Sequence, residues 1–479
     1  MPARTGEQFL KGLRGPRAVW VDGERIADVT DHPKLTGAAH ALAEVYDLHH
    51  THAATCLMPD PETGEAIPVS HMIPRSREDL ARRAKALRQV AEYSVGLMGR
   101  TPDYMNVTYA GFAARPDEWG INGNEAGAER LVAYQKFLRR GDISLTHTIV
   151  QPTVDKATGD APGPGNVHAL RKVSESAHGI VVRGARVLAT LAPFADELAV
   201  YPGAPLPEGT EPYALSFCVP MSAPGLKFVC RDSVSTSANR FDHPLSSRFD
   251  EQDAFVIFDD VEIPRDRVFI DGNVKAYNTV MGSSWPPNIQ QQTMIRASTK
   301  LDFAWALALR MAAAINAVDP ETQRLLGEIW TYAEFARAAV ATAEAEAREW
   351  PGGMWTCASG PLHALRCTLP HWFPRVNEIL RLIGSHNLFA TPTAAQMADP
   401  ELRPLIDRYL PGAKGMAAEE RIRIFRLAWD FAGSGLASRN EQYERFYLAS
   451  SARNLVRHLA FTDRKRADPL VDRFLKEPY

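Results

Sequence analysis

Residues 99–106, GRTPDYMN, put an arginine, a carboxylate and a phenol at what reads as the start of a helix. Thr101 is a natural N-cap, and Pro102 suits the first helical position, where a missing N–H costs nothing. Arg100 and Tyr104 stand four residues apart, close enough to converge on one small target. The positive end of the helix dipole lies beside them, so a phenolate or carboxylate is favoured there. On local grounds the pattern also describes an ordinary capped helix with a surface ion pair. A second group of interest is His147, which opens the run LTHTIV between Thr146 and Thr148. An ordinary imidazole titrates near working pH, so beside Arg100 and Tyr104 it could hydrogen-bond a phenol and take its proton. Taken alone, it reads as a core histidine.

Other chemistries find no foothold. Gly120, Gly123 and Gly127 sit between helical patterns, and Gly163 and Gly165 belong to a Pro-rich loop. Neither set follows a strand and opens a helix, so no dinucleotide fingerprint is present. His49, His50, His52 and Cys56 imitate a metal site, as do Cys357, His363, Cys367 and His371. Their spacings match no zinc pattern, and Pro370 interrupts the second run; both read as structural, and no metal is expected. No serine nucleophile elbow occurs. A net charge of −3 gives no reason to expect nucleic acid or an anionic membrane. The most apolar stretch, 303–318, is cut by Arg310 and is too short to span a bilayer. The start, MPARTGEQFLKGL, lacks a signal-peptide core, and five scattered cysteines fit reduced thiols, so a cytoplasmic protein is expected.

The elements that must position these residues fall into three zones. A chain of 479 residues is too long for one core. Residues 1–143 read as helical, with 3.6-residue periodicity over 35–49, 75–98 and 126–139. Residues 144–272 break into short β-branched runs such as GIVV, ARVLATL, YALSFCV and AFVIFDDVEI, a mostly antiparallel sheet or barrel. From 273 to 479 the helical period returns. Asp319 and Pro320 cap a helix expected to reach about residue 350, and further helices follow at 374–383, 417–431 and 440–457. This predicts an α+β class with a C-terminal four-helix bundle.

Several of these segments resemble a known family. GRTPDYMN, LTHTIVQP, GIVVRGARVLAT, FDHPLSSRFDEQDAFVIFDDVEIPRDRVF (241–269) and RIFRLAWDFAGSGLASRNEQYERFY (423–447) are similar to the oxygenase component of 4-hydroxyphenylacetate 3-hydroxylase. That is a family of two-component flavin monooxygenases. The similarity runs in order from about Arg4 to about Tyr447, and the residues after it look divergent. It implies an acyl-CoA dehydrogenase-like fold and a homotetramer or dimer. It also implies O2 as co-substrate, with FAD used as FADH2 and delivered by a separate NAD(P)H-dependent flavin reductase.

The resemblance places Arg100, Tyr104 and His147 around the phenol oxygen. His147 would accept or share the phenol proton, Arg100 would stabilise the developing phenolate, and Tyr104 would orient the reactants. For flavin contacts it implies His147, Thr148 and Ile149, then Thr153, Val154, Asp155 and Lys156, then Thr190. Leu436, Ala437, Ser438 and Arg439 are added from the bundle, with Arg439 suited to the pyrophosphate. One departure stands out. Where the family carries a Ser-Thr pair for the substrate carboxylate, this chain has Gly203 and Ala204 after Pro202. Losing two hydroxyls argues against free 4-hydroxyphenylacetate and for a tyrosine derivative, a coumarate or a carrier-tethered phenol, unless a neighbouring side chain replaces the donors. A 4-hydroxyphenylacetate or halophenol hydroxylase is the alternative. A flavin-dependent hydroxyacyl-CoA dehydratase-like lyase is more remote, because no cysteine occurs between Cys56 and Cys218 to hold its iron–sulfur cluster.

Overall fold

The computed structural model describes residues 3–152, 154, 166–283 and 286–477. The expected order of helices, sheet and helical bundle is what the chain adopts. The longest helices of the N-terminal part are Thr36–Thr51, Arg77–Tyr93, Pro102–Ala113 and Glu125–Gly141. The middle is a ten-stranded sheet. At its centre Leu145–Thr148 lies between Glu197–Val200, its parallel neighbour, and Gly179–Thr190, its antiparallel one. Asp253–Pro264 follows on the far side of Gly179–Thr190. The strand Val19–Val21, within the zone read as helical, joins this sheet parallel to Leu226–Cys230. Three residues are too few to register against a helical background.

The C-terminal helices Pro286–Ala314, Pro320–Ala345, Ser359–Gly384 and Ala418–Ala432 pack against one another as a bundle. Three boundaries differ from expectation; in one, the helix expected over 440–457 is two helices, Gly435–Phe446 and Ser451–Phe461, with Ala449 between them at positive φ. The helix capped by Asp319 ends at Ala345, because Gly352 and Gly353, both at positive φ, turn a short hairpin between Arg348–Trp350 and Met354–Thr356. Pro370 and Pro374 do not break a helix but lie inside Ser359–Gly384. The lost backbone bonds are offset by a buried face that includes Leu369, Phe373 and Val376.

Every residue of Pro102–Ala113 is buried, so the capped surface helix is excluded. The helix lies against Glu125–Gly141, Pro286–Ala314 and the strand Leu145–Thr148. Its polar side chains have partners within the protein: Asn106 donates to Ser70 at 3.0 Å, and Gln292 donates to Asp103 at 3.1 Å. Thr101 occupies the N-cap with extended backbone, without a side-chain cap bond, and Pro102 takes the first turn. A fully buried helix start beside the central strand brings Arg100 and Tyr104 to His147.

Candidate active site

Arg100 enters the core just before the helix begins. Its backbone N–H and that of Gly99 both donate to Glu251 Oε1, at 2.7 and 2.6 Å. The charge of Glu251 is thus taken up by the helix start and by Arg439, which donates to its other oxygen at 2.8 Å. The Arg100 guanidinium lies 4.1 Å from the Tyr104 ring centroid, 4.3 Å from that of Tyr447 and 5.5 Å from that of Tyr443. Its Nη1 donates to Tyr443 Oη at 2.5 Å and to the Gly99 carbonyl at 3.2 Å. Its Nε has no partner, and no carboxylate lies within ion-pair distance of the guanidinium among the described residues. Aromatic faces attract such a cation without neutralising it. Gly99 makes the arrangement possible: a Cβ there would lie 2.0 Å from Tyr443 Oη.

His147 stands in the central strand opposite Ala199. Its ring stacks with those of Tyr104, at 5.5 Å, and Tyr201, at 4.9 Å, both with interplanar angles of 15°. Those separations leave no slot for another ring between the members of either pair. Burial, and then the neighbouring Arg100 charge, hold the His147 pKa well below the ordinary histidine value, so the ring is neutral. Its Nδ1 is buried without a partner among the described residues. Burial raises the Tyr104 pKa despite the opposing influence of Arg100, and it likewise raises those of Tyr201 and Tyr443. The site therefore holds one uncommitted positive charge, a neutral imidazole and neutral phenols.

The flavin positions divide. Thr148 is fully buried, its hydroxyl has no partner among the described residues, and its register with Ala189 sets Thr190 beside it. Thr190 donates to Asp253 at 2.7 Å, and Thr146 donates to the Thr190 carbonyl. Val150, Val187 and Leu188 leave apolar surface exposed along the same strands. An apolar ledge with unspent polar groups at one end suits an isoalloxazine ring. Val154 is exposed; Thr153, Asp155 and Lys156 lie outside the described residues. Leu436 and Ala437 are buried, whereas Ser438 is exposed and lines a separate hollow with Arg381, His386 and Trp429. Arg439 spends all three nitrogens, on Glu251 and on both oxygens of Asp253 at 2.7 and 2.8 Å. Three of its five N–H groups are thus committed, and it braces Glu251 and Asp253. Gly203 is partly buried and Ala204 is exposed.

Sequence reasoning missed Tyr201, Glu251, Tyr443 and Tyr447. The last two sit a helical turn apart in RNEQYERFY, and their rings stack at 4.7 Å. That four-residue spacing of tyrosines was the available signal.

Family models for the N-terminal and C-terminal parts of 4-hydroxyphenylacetate 3-hydroxylase match residues 5–270 and 280–476. The chain belongs to this family. The match includes the residues after Tyr447, so the tail is not outside the family pattern as expected. The 4-hydroxyphenylacetate 3-monooxygenase oxygenase component of Thermus thermophilus is 37% identical, over 99% of this chain and 98% of that protein. A crystal structure of such an oxygenase component, complexed with FAD and 4-hydroxyphenylacetate, superposes with a TM-score of 0.93 at 36% identity, covering 99% of this chain and 98% of that one. A Streptomyces globisporus relative is 31% identical over 92% of this chain and 84% of its own length; it is named (3S)-3-amino-3-(3-chloro-4-hydroxyphenyl)propanoyl-[peptidyl-carrier protein SgcC2] monooxygenase.

Proposed function

We infer that this chain is the FAD-dependent oxygenase component of a phenol monooxygenase, converting a para-substituted phenol to the ortho-catechol. The reaction consumes phenol, O2 and reduced FAD and yields catechol, water and oxidised FAD. A separate NAD(P)H-flavin reductase supplies the reduced flavin, in keeping with the missing dinucleotide fingerprint. The observation that carries the reading is the buried Arg100 guanidinium, ringed by Tyr104, Tyr443 and Tyr447 and free of any carboxylate among the described residues.

Reduced FAD, when bound, activates O2 and supplies one of its oxygen atoms to the ring. The chain's own groups prepare that ring. Arg100 stabilises negative charge on the phenol oxygen, which raises electron density at the ortho carbon. In a site closed to water this electrostatic contribution outweighs the others. Neutral His147 accepts a hydrogen bond from the phenol and shares its proton; full transfer would set an imidazolium beside Arg100. Tyr104, held protonated by burial, donates a hydrogen bond that orients the reactants.

The substrate is a tyrosine derivative, a coumarate or a carrier-tethered phenol, supported by the missing hydroxyls at Gly203 and Ala204 and by the carrier-dependent relative. The chain works as a homotetramer or dimer. Leu455, Val456 and Leu459 on Ser451–Phe461, with Leu470, Phe474 and Leu475 on Asp468–Leu475, expose apolar surface that a second copy would cover. Among the described residues no helix is long and apolar enough to cross a membrane, and all five cysteines are buried and unpaired, which supports a cytoplasmic setting. The test is turnover with a generic flavin reductase, NADH and FAD across free and carrier-bound para-substituted phenols, read by mass spectrometry. The expected result is one oxygen added to the ring per O2 consumed. Hydrogen peroxide alone, with every phenol, would contradict the reading.

A further inference from the structure

Another buried arginine lacks a carboxylate partner among the described residues. Arg186, on the strand Gly179–Thr190, is fully buried. Its Nη1 donates to the Ile149 carbonyl, and the guanidinium also lies within hydrogen-bonding reach of the Tyr277 phenol, which favours its charged form. Nε and Nη2 have no hydrogen-bond partner among the described residues. Those two nitrogens form the side-on edge of a guanidinium, the edge that grips a carboxylate with two parallel hydrogen bonds. Burial lowers the Arg186 pKa, and no carboxylate among the described residues offsets that.

The position matters as much as the chemistry. The Gly203 N–H donates to Tyr277 Oη at 3.0 Å, and a Cβ built on Gly203 would lie 3.0 Å from Ile149 Cγ2. Arg186, Tyr277, Ile149 and Gly203 thus form one cluster, at the point where the family's hydroxyl pair is missing. Ile149 follows His147 by two residues, and the ladder continues past it through the Val187 N–H to the Val150 carbonyl. Side chains two apart on an extended chain share a face and stand about 7 Å from one another. A phenol whose hydroxyl meets His147 and Arg100 can therefore carry its para-substituent toward Arg186.

We propose that Arg186 receives an anionic para-substituent, a carboxylate, and replaces the donors lost at Gly203 and Ala204. This rests on the phenol-hydroxylase reading and narrows it to free phenolic acids over carrier thioesters. A flavin phosphate is the other anion that could use the same fork.

Equilibrium dialysis of the full chain with oxidised FAD, using 4-hydroxyphenylacetate, 4-coumarate and their methyl esters, separates the cases. The acids are expected to bind about 30-fold more tightly than their esters, and Arg186→Gln to bring that ratio near one while FAD affinity holds. Arg186→Lys, which keeps charge and loses the fork, should retain part of the preference. The wild-type acid-to-ester ratio decides even if the glutamine variant does not fold. A wild-type ratio near one, or a ratio that survives in Arg186→Gln, overturns the proposal. So does a tenfold loss of FAD affinity with the ratio intact, which identifies phosphate as the anion. Product from neither acid nor ester would instead defeat the hydroxylase reading, whatever the binding ratio.

Discussion

Arg100 and Arg439 flank the same carboxylate and end in opposite electrostatic states. Arg439 is neutralised by Glu251 and Asp253, and deeper in the bundle Arg296 grips Glu444 with two bonds, at 2.8 and 2.9 Å, beside Lys300 at 3.1 Å. Arg100 gives Glu251 only its backbone N–H and keeps its side-chain charge among aromatic faces. The carboxylates around Arg439 and Arg296 are therefore spent on building, and Arg100 keeps its charge for chemistry. Paired arginines fix the position of the helix start; the unpaired one makes that position useful.

The largest effect expected from this contrast is at Arg100. Arg100→Met should cut catechol formation about a thousandfold, near 4 kcal/mol, while oxygen uptake continues as hydrogen peroxide. Arg100→Lys should recover little, because a flexible ammonium neither lies flat between rings nor reaches Tyr443 in the same way. Product per O2 consumed reads both variants. If Arg100 were merely structural, coupling would persist in whatever fraction folds.

A paired cation should behave in the converse way. Glu444→Gln leaves Arg296 and Lys300 uncompensated and should cost about 3–4 kcal/mol of stability, read by denaturant unfolding. Glu444 is held at about 2 by the two cations, against the cost of its burial. Its contribution is therefore present above the unfolded carboxylate range and is lost as pH falls toward 2.

Asp103 sharpens the comparison from the other side, as a buried carboxylate without a cation. Burial pushes it up to about 6. The folded state then binds more protons than the unfolded one between roughly pH 4 and 6, so stability falls as pH rises through that window. Asp103→Asn should stabilise the protein by about 2–3 kcal/mol at pH 8 and by nothing near pH 3, read from paired melts. The smallest effect is expected at Tyr443→Phe. It removes one acceptor from Arg100 and keeps the ring face, so a three- to tenfold loss in kcat/KM, about 1 kcal/mol, should follow.

Much of this site could be seen in the sequence because its parts are local. Arg100, Thr101, Pro102 and Tyr104 form a helix start in one octapeptide, and His147 opens the strand packed against that helix. Long-range partners were not visible. Tyr443 meets Arg100 across 343 positions, and Glu251 across 151, with no spacing rule to join them. Burial was equally hidden, since the helix Pro102–Ala113 carries polar residues that look solvent-facing until Ser70 and Gln292 are brought to them. The neutrality of His147 follows from that burial, and of the two expected roles, accepting or sharing the phenol proton, it favours sharing. Arg439 hid a second role: its residue type suggested a phosphate ligand, and the structure shows that it also braces Glu251 and Asp253.

The central claim is that the uncommitted charge of Arg100 favours the anionic form of a bound phenol. The direct test is a spectrophotometric titration of 4-nitrophenol, whose two forms differ in absorbance, free and bound to the chain. The account predicts that binding lowers the phenol pKa by about 1–3 units and that Arg100→Met abolishes the shift. A bound phenol that ionises at its solution value, or above it, would contradict the account.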